Sequence, residues 1–208
     1  MKTVFVHPER CIGCRQCEFA CAVEHSRSRD PIQALFEDPP PRSRIHVEAG
    51  PSLNSSFPNK CRHCSPAPCE ETCPTAAIAR DPELDLVFVR PEKCIACAMC
   101  AIVCPFDALT FHLQKNGMPA KVVATKCDGC ADRVRQSLAP ACVETCKVGA
   151  LVFGELNELI HQGRLRETAR VLMAASVEPS IPESEIPETV RGWRAWGEEA
   201  TQVAGGVA

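Results

Sequence analysis

The sequence predicts an α+β fold in which short antiparallel strands alternate with small helices. Two observations support this class. Six short segments are rich in β-branched, leucine and aromatic residues, as strands are, and they span 4–6, 44–48, 86–89, 109–112, 122–125 and 151–153. Helical patterns start inside or just after groups of cysteines, as in 15–24 and 128–137.

Cysteine is the residue type that most distinguishes this chain. There are 16 cysteines among 208 residues, whereas aromatic residues make up only 5% and tyrosine is absent. The cysteines form four groups of four, which are Cys11, Cys14, Cys17 and Cys21; Cys61, Cys64, Cys69 and Cys73; Cys94, Cys97, Cys100 and Cys104; and Cys127, Cys130, Cys142 and Cys146. With so few aromatic side chains, we expect the cysteines to help hold the fold together.

Disulfides and metal binding are the two uses of so many cysteines. The first ten residues contain no apolar stretch or twin arginines of the kind that an export signal requires. We therefore expect a cytoplasmic chain whose thiols stay reduced, and in that compartment metal binding is the better explanation.

The spacing of the cysteines favours iron-sulfur clusters over zinc. The first and third groups have the spacing C-x2-C-x2-C-x3-C, in which three thiolates surround one corner of a cluster and the fourth points elsewhere. The second group widens its middle gap with residues 65–68 and the fourth with 131–141, and both keep the C-x2-C start and the C-x3-C end. Two zinc-binding C-x2-C pairs would not explain a displaced fourth cysteine in every group. We predict four [4Fe-4S] clusters.

In two-cluster ferredoxins the fourth cysteine of one motif binds the cluster of the other motif, so the motifs work in pairs. Proline follows the last cysteine of the second and third groups, in Cys73-Pro74 and Cys104-Pro105, which marks these groups as one pair. Nesting then makes the first and fourth groups the other pair. The predicted ligand sets are Cys11, Cys14, Cys17 with Cys146; Cys127, Cys130, Cys142 with Cys21; Cys61, Cys64, Cys69 with Cys104; and Cys94, Cys97, Cys100 with Cys73.

This pairing predicts two nested ferredoxin-like dicluster domains. The first is discontinuous, and the second is inserted into it after an irregular excursion around one strand. The predicted segments are 1–25 with 120–155 for the first domain, 26–58 for the excursion, 59–119 for the second domain, 156–177 for a C-terminal helical segment and 178–208 for an extended tail.

The chain also contains an internal repeat. In three groups the last cysteine is followed, after three intervening residues, by an alanine and then an aliphatic residue, at Ala77, Ala108 and Ala150. We interpret the chain as one cluster-binding unit that was copied and then diverged.

Charge and hydropathy argue against nucleic-acid binding and against a membrane-spanning segment. The formal net charge is -3, and four oxidised clusters with their thiolates would bring it to about -11. Nucleic-acid binding requires a basic face, so we expect none. No apolar stretch approaches the roughly 20 residues of a membrane span.

Five other residues have two open interpretations. A basic residue directly precedes the first cysteine of every group, and these are Arg10, Lys60, Lys93 and Lys126. Each either offsets cluster charge or is a solvated cation at the mouth of a loop. His63 lies inside the second group, where a loop histidine is the more ordinary interpretation than an iron ligand. We find no candidate for a catalytic nucleophile or an acid-base pair.

The motifs resemble a known family. Residues 61–69, Cys73-Pro74 and residues 140–144 are similar to the four-cluster iron-sulfur subunits that accompany molybdopterin oxidoreductases and hydrogenases. The resemblance covers residues 3–155. Within that family, residues 146–151 and 153–155 look most like the iron-sulfur protein of carbon monoxide dehydrogenase systems.

The resemblance implies a non-enzymatic subunit that relays single electrons between a catalytic metalloenzyme, of the carbon monoxide dehydrogenase or hydrogenase type, and a second electron donor or acceptor protein. An alternative within redox biology is the electron-transfer small subunit of a tungsten or molybdenum aldehyde or formate oxidoreductase. A zinc-stabilised adaptor is the alternative from a different class.

Overall fold

The structure is a computed structural model that describes residues 2–52, 55–115 and 120–176, together with residues 188, 192 and 196. The predicted tail 178–208 lies outside the described residues except for those three. The chain divides into two units, residues 1–159 and residues 160–208.

The described residues form short strands and helices in alternation, as predicted. The strands are β1 Lys2–Val6, β2 Ile45–Ala49, β3 Ser56–Lys60, β4 Ile78–Asp81, β5 Leu86–Val89, β6 Thr110–Gln114, β7 Lys121–Thr125 and β8 Leu151–Glu155. The helices are α1 Gln16–Glu24, α2 Pro68–Glu71, α3 Met99–Ile102, α4 Ala131–Arg135, α5 Ala141–Glu144 and α6 Leu156–Ser176. Single 3-10 turns span Pro8–Arg10, Gln33–Phe36 and Pro91–Lys93.

All six predicted strands are confirmed to within about two residues, and two further strands, β3 and β4, were not predicted. The segment 26–58 therefore contains β2 and the start of β3, where the sequence indicated a single strand. The predicted helix 15–24 begins one residue later, and the predicted helix 128–137 shortens to α4. The C-terminal helical segment predicted at 156–177 corresponds to α6.

The strands pair two by two in antiparallel ladders. β2 pairs with β3, β4 with β5, and β6 with β7. The fourth ladder joins distant parts of the chain, because β1 pairs with β8 and Val4 lies opposite Phe153. The start of the chain is therefore held beside the segment that follows the last cysteine group.

Two small hydrophobic clusters make up the core, and cysteines belong to both. The first gathers the buried residues Cys17, Cys21, Ile45, Val47, Cys142 and Leu151. The second gathers Ala67, Ile78, Val87, Cys100 and Ala124. Helix α1 packs against α5 in the first region, and α2 packs against α3 in the second. The thiols thus take the interior positions that aromatic side chains fill in most proteins of this size.

Candidate metal centres

The same left-handed turn occurs at the start of all four cysteine groups. The residue before the second cysteine has a positive φ each time, at Gly13 (69°), His63 (52°), Ala96 (55°) and Gly129 (70°). In the second and fourth groups this turn directs a backbone N–H at the first thiol of the group. The N–H of His63 lies 3.4 Å from Cys61 Sγ, and that of Gly129 lies 3.4 Å from Cys127 Sγ. Each C-x2-C pair is therefore held on one tight loop.

A second left-handed residue follows three of the groups at a fixed distance. It comes three residues after the last cysteine, at Ala76 (50°), Asp107 (48°) and Gly149 (64°). The backbone N–H of Ala77 then reaches Cys73 Sγ at 3.2 Å. The internal repeat of the sequence is thus a repeat of backbone geometry.

The first and fourth groups lie close together. Burial raises the pKa of the Cys17 thiol to about 12, and the nearby thiolates of Cys11 and Cys14 act in the same direction. Cys146 and Cys11 both pack against the hydrophobic cluster that contains Cys17 and Cys142.

Cys21 lies among the cysteines of the fourth group, although it belongs to the first group in sequence. Burial raises the pKa of Cys142, and the charges of Cys127, Cys130 and Cys21 raise it further. The pKa of Cys130 is raised to about 12, first by burial and then also by the charges of Asp128, Cys21 and Cys127.

The second and third groups also lie close together. Cys61, Cys64, Cys69 and Cys104 line one small cavity together. Burial raises the pKa of Cys100 to about 11, and the neighbouring thiolates of Cys94, Cys69, Cys73 and Cys97 add to this effect. Cysteines of both groups therefore lie together at each of these two places.

The donors suit iron-sulfur clusters. All 16 cysteines are free thiols. Bare thiolates this close repel one another, and an iron centre relieves that repulsion because it binds the deprotonated form. Backbone N–H groups directed at sulfur are also the hydrogen bonds that tune such clusters. When bound, a [4Fe-4S] cluster supplies one-electron chemistry.

The four basic residues that precede the groups differ in burial. Lys60 and Lys126 are each only 3% exposed, whereas Lys93 is exposed and Arg10 is half-buried. The solvated-cation interpretation is therefore wrong for Lys60 and Lys126 and holds for Lys93.

His63 has one ring nitrogen in use. Its Nδ1 accepts a hydrogen bond from the backbone N–H of Val87 at 3.0 Å. Burial and the nearby charges of Lys126 and Lys60 lower the pKa of His63 to about 3, so the ring is neutral. Its Nε2 is buried and has no hydrogen-bond partner among the described residues.

A polar network that the sequence analysis missed connects the first group to the fourth. The Nδ1–H of His25 donates to the carbonyl of Cys21 at 2.7 Å, and its Nε2–H donates to Asp128 Oδ1 at 3.1 Å. Arg44 pairs with the other carboxylate oxygen of Asp128, and its backbone N–H lies 3.3 Å from Cys21 Sγ. Burial alone would lower the pKa of His25, but the hydrogen bonds to Asp128 and Cys21 outweigh it and raise the pKa to about 10. The protonated His25 ring thus lies beside the cysteine loops of the first and fourth groups.

His25, Asp128 and Cys130 have ligand atoms within 4.8 Å of one another. The Asp128 carboxylate already binds His25 and Arg44, so this trio belongs to the network and is not a separate metal centre.

Among the described residues, no helix combines the length and the apolar composition that a membrane span requires.

Four groups of cysteines on repeated turns are typical of proteins that bind iron-sulfur clusters. The sequence profile described as the 4Fe-4S dicluster domain matches residues 54–156. The chain belongs to this family of iron-sulfur proteins.

Three relatives match the chain over most of their length. An iron-sulfur protein of Rhodospirillum rubrum is 34% identical over 177 residues, which is 80% of this chain and 90% of that protein. The electron transport protein HydN of Escherichia coli (strain K12) is 36% identical over 165 residues, 75% of this chain and 89% of HydN. The probable anaerobic dimethyl sulfoxide reductase chain YnfG of the same strain is 32% identical over 193 residues, 85% of each chain.

Proposed function

We propose that the chain is an electron-transfer protein that carries four [4Fe-4S] clusters and relays single electrons between a catalytic metalloenzyme and a second redox protein. The observation that carries this proposal is the grouping of 16 free thiols into four neighbouring sets on four copies of one turn. The name of the relative HydN, an electron transport protein, supports the same role.

The proposed ligands of the four clusters follow the nested pairing. They are Cys11, Cys14, Cys17 with Cys146; Cys127, Cys130, Cys142 with Cys21; Cys61, Cys64, Cys69 with Cys104; and Cys94, Cys97, Cys100 with Cys73. Two observations support the nesting. β1 pairs with β8, and the packing of α1 against α5 and of α2 against α3 joins the groups in the proposed pairs. We accordingly propose residues 1–25 with 120–155 as one dicluster domain and 59–119 as the other.

For the catalytic partner we propose an enzyme of the carbon monoxide dehydrogenase or hydrogenase type. The support is the resemblance of residues 146–151 and 153–155 to the iron-sulfur protein of carbon monoxide dehydrogenase systems. A second candidate is the electron-transfer small subunit of a tungsten or molybdenum aldehyde or formate oxidoreductase, and the relative named as a chain of a probable anaerobic reductase supports a role as a subunit of such an enzyme.

Metal analysis of anaerobically purified protein tests the proposal. We expect about sixteen irons and as many sulfides per chain, and electron paramagnetic resonance signals that appear on reduction. A colourless zinc protein, or iron that accepts no electron, would refute the function. About eight irons would refute the cluster number alone.

Electron transfer to purified partners separates the two candidate enzymes. Reduced protein is mixed anaerobically with each oxidised enzyme, and reoxidation of the clusters is followed by stopped flow. The true partner should accept electrons faster than an unrelated redox enzyme does, and this preference should persist as the salt concentration is varied.

A further inference from the structure

Lys126 is buried where the second and fourth cysteine groups meet. It follows β7 and directly precedes Cys127, and only 3% of its surface is exposed. Its Nζ donates to the carbonyl of Cys127 at 3.1 Å and to the carbonyl of Val87. The same atom lies 3.5 Å from the Sγ of Cys61, in a different group. This cation therefore contacts both groups.

Lys60 makes the reciprocal arrangement. It ends β3, directly precedes Cys61 and is likewise 3% exposed, and its Nζ donates to the carbonyl of Cys61 at 3.3 Å. Lys60 also lines one cavity together with Cys127 and Gly129 of the fourth group. The lysine of the second group thus lies in the field of the fourth group, and the lysine of the fourth group contacts the second.

Neither lysine forms an ion pair with a carboxylate in the part of the chain that the structure describes. The carboxylate of Asp128, two residues after Lys126, is bound by His25 and Arg44. A buried ammonium without a counter-charge destabilises a protein by several kcal/mol. The Sγ of Cys61 lies 3.5 Å from the Nζ of Lys126, and Cys127 lines a cavity with Lys60. Negative charge at the cysteine sites is therefore the counter-charge that the described residues provide.

We propose that Lys60 and Lys126 form a cationic bridge shared by the Cys61 site and the Cys127 site, and that this bridge raises the reduction potential of both sites. The inference rests on the proposed function, because it requires a reducible cluster at each site. A nearby cation stabilises the more negative, reduced form of a cluster, and this effect is strong where water is excluded. Lys93, which holds the same position before the third group, is solvated and contributes little.

The test is an anaerobic potentiometric titration with dithionite, followed by electron paramagnetic resonance, on the wild type, Lys126→Met and the matched control Lys93→Met. Methionine keeps most of the apolar stem and removes the charge. We expect two of the four one-electron waves of Lys126→Met to move to lower potential by about 59 mV. For a one-electron couple this shift is a tenfold decrease in the equilibrium constant of reduction. Lys93→Met should retain all four wild-type waves, and Lys126→Arg should restore the two that moved.

Unchanged waves in Lys126→Met, or equal shifts in Lys93→Met, would overturn the inference. If Lys126→Met fails to assemble its clusters, Lys60→Met is titrated in the same way, and the same criterion applies to its two waves. These outcomes differ from failure of the proposed function, in which the wild type itself would contain no reducible iron.

Discussion

The Nε2 of His25 lies 3.1 Å from the Oδ1 of Asp128, a carboxylate 103 residues further along the chain. His25 follows helix α1, whereas Asp128 lies in the first turn of the fourth cysteine group. The contact therefore fastens two segments that nesting assigns to one domain.

Asp128→Ala should weaken this connection, because it leaves the charges of His25 and Arg44 partly buried and unpaired. We expect a loss of about 2–3 kcal/mol in the free energy of unfolding. For a chain of this size that corresponds to a fall of about 5–10 °C in the anaerobic thermal midpoint.

The neighbouring pair Arg29–Asp132 supplies the control for Asp128→Ala. Its side chains are 55% and 67% exposed, and exposed pairs contribute little. Asp132→Ala should therefore leave the midpoint nearly unchanged. Equal losses in the two variants would show that the network around Asp128 has no special role.

The sequence predicted the strands in which β-branched, leucine or aromatic residues predominate and missed two in which polar residues and proline are frequent, β3 and β4. β3 has the sequence Ser-Phe-Pro-Asn-Lys, and proline and asparagine are uncommon in strands. It forms because β2 lies beside it and provides a partner. Single-segment patterns contain no information about such a partner.

Helix bounds were missed where the backbone becomes left-handed. Cys130 has a φ of 52° and Ser137 a φ of 62°, so α4 is confined between them and is shorter than the predicted 128–137. Nothing in the identity of a cysteine or a serine indicates this conformation.

The cysteine positions, in contrast, were fully visible in the sequence, because the motif depends on local spacing. The network of His25, Arg44 and Asp128 was not, because its members meet only after folding.

Serine variants should test which cysteines share a cluster. The nested pairing predicts that Cys73→Ser and Cys97→Ser each lose or convert the same cluster, with about four irons fewer if it is lost. Cys104→Ser and Cys64→Ser should affect a second cluster in common. Metal binding and folding are coupled, so each variant should also unfold at a lower temperature. The readout is which electron paramagnetic resonance signal disappears, and a match between Cys73→Ser and Cys64→Ser would contradict the pairing.

Gly129 and Gly13 occupy equivalent left-handed turns but differ in their surroundings. A Cβ on Gly129 would lie 2.7 Å from Leu86 Cδ1, whereas a Cβ on Gly13 would meet Ser56 Oγ at 3.4 Å. Gly13→Ala should cost about 1 kcal/mol for the left-handed backbone. Gly129→Ala should cost about 2–3 kcal/mol, because overpacking against Leu86 adds to the same strain. Thermal midpoints of the two variants check the ranking, and equal midpoints would contradict it.

Arg62 lies between two aromatic rings beside the second group. Its guanidinium carbon is 5.4 Å from the ring centroid of Phe57 and 5.6 Å from that of Phe106. Arg62→Ala should lose about 1–2 kcal/mol, since each such contact contributes about 0.5–1 kcal/mol near the surface. We expect faster loss of iron to a chelator. Arg90 contacts the single ring of Phe88, so Arg90→Ala should show about half the effect on stability, and a larger effect there would contradict this role for Arg62.

Variants of His63 test whether this histidine accepts a hydrogen bond from the backbone or binds iron. Its Nδ1 accepts the Val87 N–H, so His63→Ala should leave that buried donor unpaired at a cost of about 1–3 kcal/mol. Backbone strain does not account for the loss, because Ala96 adopts the same left-handed turn in the third group. His63→Asn offers an acceptor oxygen and tolerates positive φ, so it should recover part of the stability. Both variants should keep the full iron content, and a loss of about four irons in either would instead identify His63 as a ligand.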